Sequence, residues 1–162
     1  MTDFADAFKR GQDAAARAAE ARAEVDQVVA DVKQSVLNAT NGKIEVGQQR
    51  FEKPRKRSLA EQFASSIALL NSIGPPPTEL WLAARNPFAV DASWEKLAKF
   101  ERPHEGYPCV ISYDSRDVRC HDRSSLEEAI AELLASSWGG EILFSLLNQP
   151  VAPQGEKTEG PN

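Results

Sequence analysis

Residues 3 to 41 contain no proline and a single glycine, and are dominated by Ala, Glu, Gln, Arg and Lys. Such a run predicts one helix, with Gly42 after Asn41 as its stop. At about 1.5 Å per residue it would extend roughly 57 Å. A body built from about a hundred remaining residues has a radius of gyration near 13 Å. The helix therefore overhangs any body that this chain can build. Its projecting part must stay exposed, fold back at Gly11, or pair with another chain.

The apolar pattern favours pairing. Phe4, Phe8, Gly11, Ala15, Ala18, Arg22, Val25, Val29, Val32 and Val36 follow one another at alternating spacings of four and three. That is the 3.5-residue period of a coiled-coil seam. A parallel row through Ala14, Ala18, Ala21, Val25, Val28 and Val32 widens the face and fills its middle with small side chains. Gly11 and Arg22 interrupt the seam where a strong coiled coil carries Leu or Ile. The expected partner- or oligomer-binding residues are Phe4, Phe8, Ala15, Ala18, Val25, Val29, Val32 and Val36.

After residue 42 the period changes. Ile44 and Val46 alternate with polar residues up to Glu52 and predict a strand. Pro54 breaks the next stretch, and Ser58-Leu-Ala-Glu61 reads as a capping box opening a helix to about Ile73, with Leu59, Phe63, Ile67 and Leu70 on one face. Gly74 and three prolines end it. Residues 79 to 85 fit a strand or a helical turn. A short helix from Asp91 or Ser93 is expected to carry Trp94, Leu97 and Phe100.

Pro108 to Tyr113 and Val118 to His121 alternate in polarity about Asp114-Ser-Arg-Asp117, the signature of a β-hairpin. With Asp114 opposite Asp117, Ile111 would face Cys120 and Tyr113 would face Val118. Ser125-Leu-Glu-Glu128 reads as a second capping box, opening a helix with Leu126, Ile130, Leu133 and Leu134 inward. Trp138-Gly-Gly140 would turn the chain, and residues 141 to 148 favour helix over strand. Beyond Gln149 no core-forming pattern remains, and a disordered tail is expected.

Charge narrows the choice of partner. The net charge is −5, yet residues 50 to 57 hold five basic side chains against one acid. Arg50, Lys53, Arg55, Lys56 and Arg57 are the candidate contacts for nucleic acid or an acidic protein. The flanks oppose a phosphate backbone: residues 1 to 49 carry six Lys or Arg against eight Asp or Glu, and residues 58 to 162 carry eight against fifteen. A solvated connector, or docking on an acidic surface of a neighbouring subunit, accounts for the same stretch with fewer requirements.

Catalytic constellations are weak. Cys120 and His121 are adjacent on a predicted strand and point to opposite faces, so they cannot act as nucleophile and base. Asp114, Asp117 and Asp122 cluster near one hairpin end, but Arg116, Arg119 and Arg123 are interleaved with them and suggest neutralisation on a wet surface. Two cysteines with His104 and His121 do not make zinc-finger spacing, and no phosphate loop or metalloprotease pattern occurs. No metal or cofactor is expected. No apolar run reaches the roughly 18 residues of a membrane span, and the acidic N-terminus is unlike a signal peptide, which points to a cytoplasmic address.

These readings converge on an α+β fold: a helical arm over residues 1–42, a strand and basic connector over 43–57, a small body of helices on a mainly antiparallel sheet over 58–149, and a tail over 150–162. The expected function is a non-catalytic adaptor, inhibitor or chaperone-like protein that pairs with itself or with another protein through the arm. The alternative is a nucleic-acid-binding module using residues 50–57.

Overall fold

The computed structural model describes residues 1–54 and 76–153. The helix expected over 58–73 and the last part of the tail lie outside these residues. Over the described residues the fold is α+β: a long N-terminal helix, a five-stranded antiparallel sheet and two short helices.

Helix α1 spans Phe4–Ala39. The Asp3 carboxylate caps it by accepting from the amides of Ala5 and Asp6. Its end is a left-handed turn, with φ of 54° at Asn41 and 81° at Gly42, which returns the Gly42 amide to the Leu37 carbonyl at 2.8 Å.

The strands β1 (Glu45–Glu52), β2 (Thr78–Arg85), β3 (Glu95–Glu101), β4 (Cys109–Tyr113) and β5 (Arg116–Cys120) pair in sequence order as a meander. Residues 79–85, open between strand and turn on sequence grounds, belong to β2. Pairing of Val46 with Ala84, Leu82 with Ala98, Phe100 with Ile111 and Cys109 with Cys120 sets the inward face. On that face pack Val25, Val28 and Val29 of α1, Leu126, Ala129, Ile130 and Leu133 of α2 (Arg123–Ala135), and Leu146 of α3 (Ser137–Leu147).

Several expectations need correction. The short helix around Trp94, Leu97 and Phe100 is instead β3. Its register shifts beside Leu82 and Ala83, so that Leu82 opposes Ala98 while Ala83 opposes Lys96. The bulge leaves Leu97 as an extra residue, and Leu97, Ala98 and Phe100 are all buried. Buried positions at 97 and 100 imitate helical spacing.

The hairpin turn is tighter than expected. Asp114 and Ser115 both adopt positive φ, 48° and 59°, as a two-residue primed turn requires. Ile111 therefore faces Val118, Tyr113 faces Arg116, and the two cysteines sit directly opposite each other. The slip is two residues, so each side chain keeps its expected face.

Helix α2 begins earlier than the predicted box. Asp122 is its N-cap, accepting from the Ser125 amide at 2.8 Å, and Ser125 Oγ accepts from the Asp122 amide in return. A carboxylate is the better acceptor and sets the start. Trp138 and the glycines after it do not turn the chain; they form the first turn of α3, capped by Ser136. Gly139 is needed there because a Cβ would collide with the Leu133 carbonyl of α2. The tail begins in contact with the body: Val90 donates to the Pro150 carbonyl and Ala152 to that of Phe88.

Candidate interaction surface

The arm divides sharply into a clamped part and a free part. From Ala18 onward α1 is fastened to the body. Ala18, Val25, Val28 and Val29 are buried, while Val32 and Val36 are half-buried against the same core. Four of the eight predicted interface residues, Val25, Val29, Val32 and Val36, thus lie against the chain's own core, and Ala18 is buried where the clamp begins. The sequence pattern could not separate a seam satisfied within the chain from one awaiting a partner, because both need the same apolar period.

Polar contacts lock the clamp. Arg102, on the loop after β3, donates to Asp26 and to Gln48 at 2.7 Å each, and to the Arg22 carbonyl at 3.2 Å. Arg22, which breaks the seam in sequence, donates in turn to the His104 carbonyl at 2.6 Å. Tyr107 donates to Glu24 at 2.8 Å; burial and this carboxylate push its phenol well above the ordinary range. Arg123 reaches Asp31, and Lys33 reaches Glu45. Burial pushes the Glu45 carboxyl up, but hydrogen bonds from Arg85 and Lys33 outweigh it and hold the group below its ordinary value. These long-range partners are invisible in the sequence, where each is one charge among many.

Glycine 106 brings the loop onto the helix. Its φ is +91°, and a Cβ placed there would lie 2.5 Å from the Ala21 Cβ. Ala21, one of the small residues at the middle of α1, serves this close approach within one chain.

The first four turns have no such cover among the described residues. Every residue from Phe4 to Arg17 is exposed, with Phe4 at 79 % and Phe8 at 70 %. Gly11 lies inside this stretch, and a Cβ built on it meets nothing within 4 Å. Nothing within the described residues requires a glycine there, although Gly in a helix interior costs about 1 kcal/mol relative to Ala.

Of the basic residues, Arg50 lies near the end of β1 and Lys53 follows it, both exposed. Arg55, Lys56 and Arg57 lie outside the described residues. The sheet face opposite the core carries Phe51 and Trp81, with the Lys96 ammonium 5.1 and 4.7 Å from their ring centres, and Arg85 stands 4.7 Å over Trp94. That face mixes signs, since Lys99 pairs with Glu79 and Glu101, and Arg85 with Glu45.

The groups considered for chemistry divide by burial. Asp114, Asp117 and His121 are exposed, whereas Cys120 is fully buried. Burial pushes the Cys109 thiol up to about 11 and raises that of Cys120, which withholds the thiolate needed for attack. Among the described residues no group of three or more His, Cys, Asp or Glu side chains could hold a metal ion, and no single helix is long and apolar enough to cross a membrane. No protein-family model, curated protein or solved structure matches this chain.

Proposed function

We propose that this chain is a non-catalytic interaction protein that engages another protein, or a further copy of itself, through residues 4–17 of α1. The observation that carries this reading is the pair Phe4 and Phe8, 79 % and 70 % exposed on a helix whose remaining turns are clamped to the body. Leaving large aromatic side chains in water forgoes about 1.5 to 3 kcal/mol each, and both lie on the same side of the helix, four residues apart. The clamp supplies a rigid base from which these four turns project, so a partner meets a preformed helix.

The test compares the full chain with a Phe4→Asp/Phe8→Asp variant, both immobilised and exposed to extract of the producing cell, alongside their masses in solution. Retention of a partner or of further copies by the parent chain, lost in the variant, supports the reading. Equal behaviour of the two chains rejects it.

A second reading rests on the density of cations from Arg50 to Arg57, of which Arg50 and Lys53 are exposed. If these contact nucleic acid, binding weakens steeply with salt and drops on Lys56→Glu with Arg57→Glu. Absence of binding at low ionic strength removes it.

A further inference from the structure

We infer that the occupant of the exposed arm is the same arm of a second copy, packed antiparallel, with Phe8 of each chain seated over Gly11 of the other. The inference rests on the interaction reading above and names its partner.

Only residues outside the clamp are free to pair, which limits the seam to Phe4, Phe8, Gly11 and Ala15. In an antiparallel pair each position of one seam row meets a position of the other row, in reverse order. Opposing Phe8 to the partner's Gly11 then opposes Phe4 to the partner's Ala15, and the same two contacts recur by symmetry. Every layer matches one large side chain with one small one. A parallel pair instead stacks Phe4 on Phe4 and Phe8 on Phe8, and sets Gly11 on Gly11 with a void between them. The antiparallel register gives Gly11 a role that nothing among the described residues of its own chain supplies.

The flanking positions agree. Ala5, Ala7, Gln12 and Ala14 border this seam, and none carries a charge. Two backbones can approach closely without burying an ion or opposing like charges. The charged residues Asp6, Lys9, Arg10, Asp13 and Arg17 fall on the far side of the helix, where Arg10 pairs with Asp6 at 2.9 Å.

Area and reach are compatible. Four phenylalanines, each about 200 Å² and exposed by the fractions above, can bury up to about 600 Å² between two chains, and the adjoining alanines move the total toward the ~1,000 Å² floor of a biological interface, the range of a weak, concentration-dependent dimer. The overlap ends at residue 15, before the first buried contact of the clamp at Ala18. The bodies then lie at opposite ends of the pair.

The test combines mass with disulfide trapping. Sedimentation equilibrium from about 1 µM to about 1 mM should show a monomer–dimer equilibrium that Phe4→Asp/Phe8→Asp shifts to monomer, with the circular dichroism of the body unchanged. For orientation, Ala5→Cys and Ala15→Cys chains, one tagged, are mixed and oxidised mildly; Cys109 and Cys120 are buried, so the new thiol is the accessible one. Antiparallel pairing yields the mixed disulfide, whereas a parallel pair yields like pairs of Ala15→Cys and overturns the inference. Growth beyond dimer also overturns it, since an isologous pair closes on itself. A parent chain that stays monomeric overturns self-pairing and leaves residues 4–17 to a foreign protein. A dimer insensitive to Phe4→Asp/Phe8→Asp overturns this inference and the interaction reading together.

Discussion

Replacement of Gly106 by alanine tests the clamp on which the division of the arm depends. Two costs add. The residue sits at φ +91°, a conformation that costs a side chain-bearing residue roughly 1 to 2 kcal/mol. The new Cβ would also stand 2.5 Å from the Ala21 Cβ, 2.9 Å from the Ala21 carbonyl carbon and 3.0 Å from the Arg22 nitrogen. Two of these three atoms are helix backbone and cannot rotate away. Overpacking of this kind costs about 1 to 3 kcal/mol, so Gly106→Ala should destabilise the fold by about 2 to 5 kcal/mol. Urea unfolding followed by circular dichroism reads this as a lowered midpoint. Ala21→Gly removes the nearest clashing atom, and the double variant should recover about 1 kcal/mol relative to the sum of the single changes. A loss below about 0.5 kcal/mol for Gly106→Ala, the range of ordinary surface changes, would refute the close approach of loop and helix and with it the boundary between clamped and free turns.

Two further substitutions should separate the halves of α1. Val28→Ala, at a position 1 % exposed, should cost about 2 kcal/mol of stability, while Phe8→Ala should leave the stability of the monomer within about 0.5 kcal/mol; comparable losses in urea unfolding would contradict the division. Alkaline pH should loosen the core. The folded chain holds the Cys109 proton up to about pH 11, against 9.0 for the unconstrained thiol, so the unfolded state releases its proton first and stability falls as pH rises through that window. A midpoint in urea that stays flat from pH 8.5 to 11 would count against the buried cysteine pair.

The sequence revealed the long helix, the strand character of residues 45–52 and the inward residues of the hairpin, because each has a sustained period that tertiary contacts merely complete. It failed where one local event breaks a period. The bulge at Leu97 turned a strand into an apparent helix, and the Asp114-Ser115 turn, lacking the usual glycine, hid the true hairpin register. The capping carboxylate of Asp122 is masked in the sequence by the nearby Ser125-Leu-Glu-Glu128, which matches the capping-box pattern on its own. For the candidate surface, spacing identified the apolar face of α1 but not where cover begins. That boundary is set by Gly106 against Ala21 and by Arg102 bridging Asp26, Gln48 and Arg22, contacts between residues more than fifty positions apart. Arg22, a flaw in the seam as a sequence, becomes the donor that ties the helix to the His104 carbonyl.

The most direct measurement is the solution mass of the full 17.8 kDa chain by light scattering as concentration rises, beside that of Phe4→Asp/Phe8→Asp. The parent chain should climb toward twice its mass and level there while the variant stays at the monomer value. Monomeric mass for both chains throughout would contradict the pairing of one arm with another.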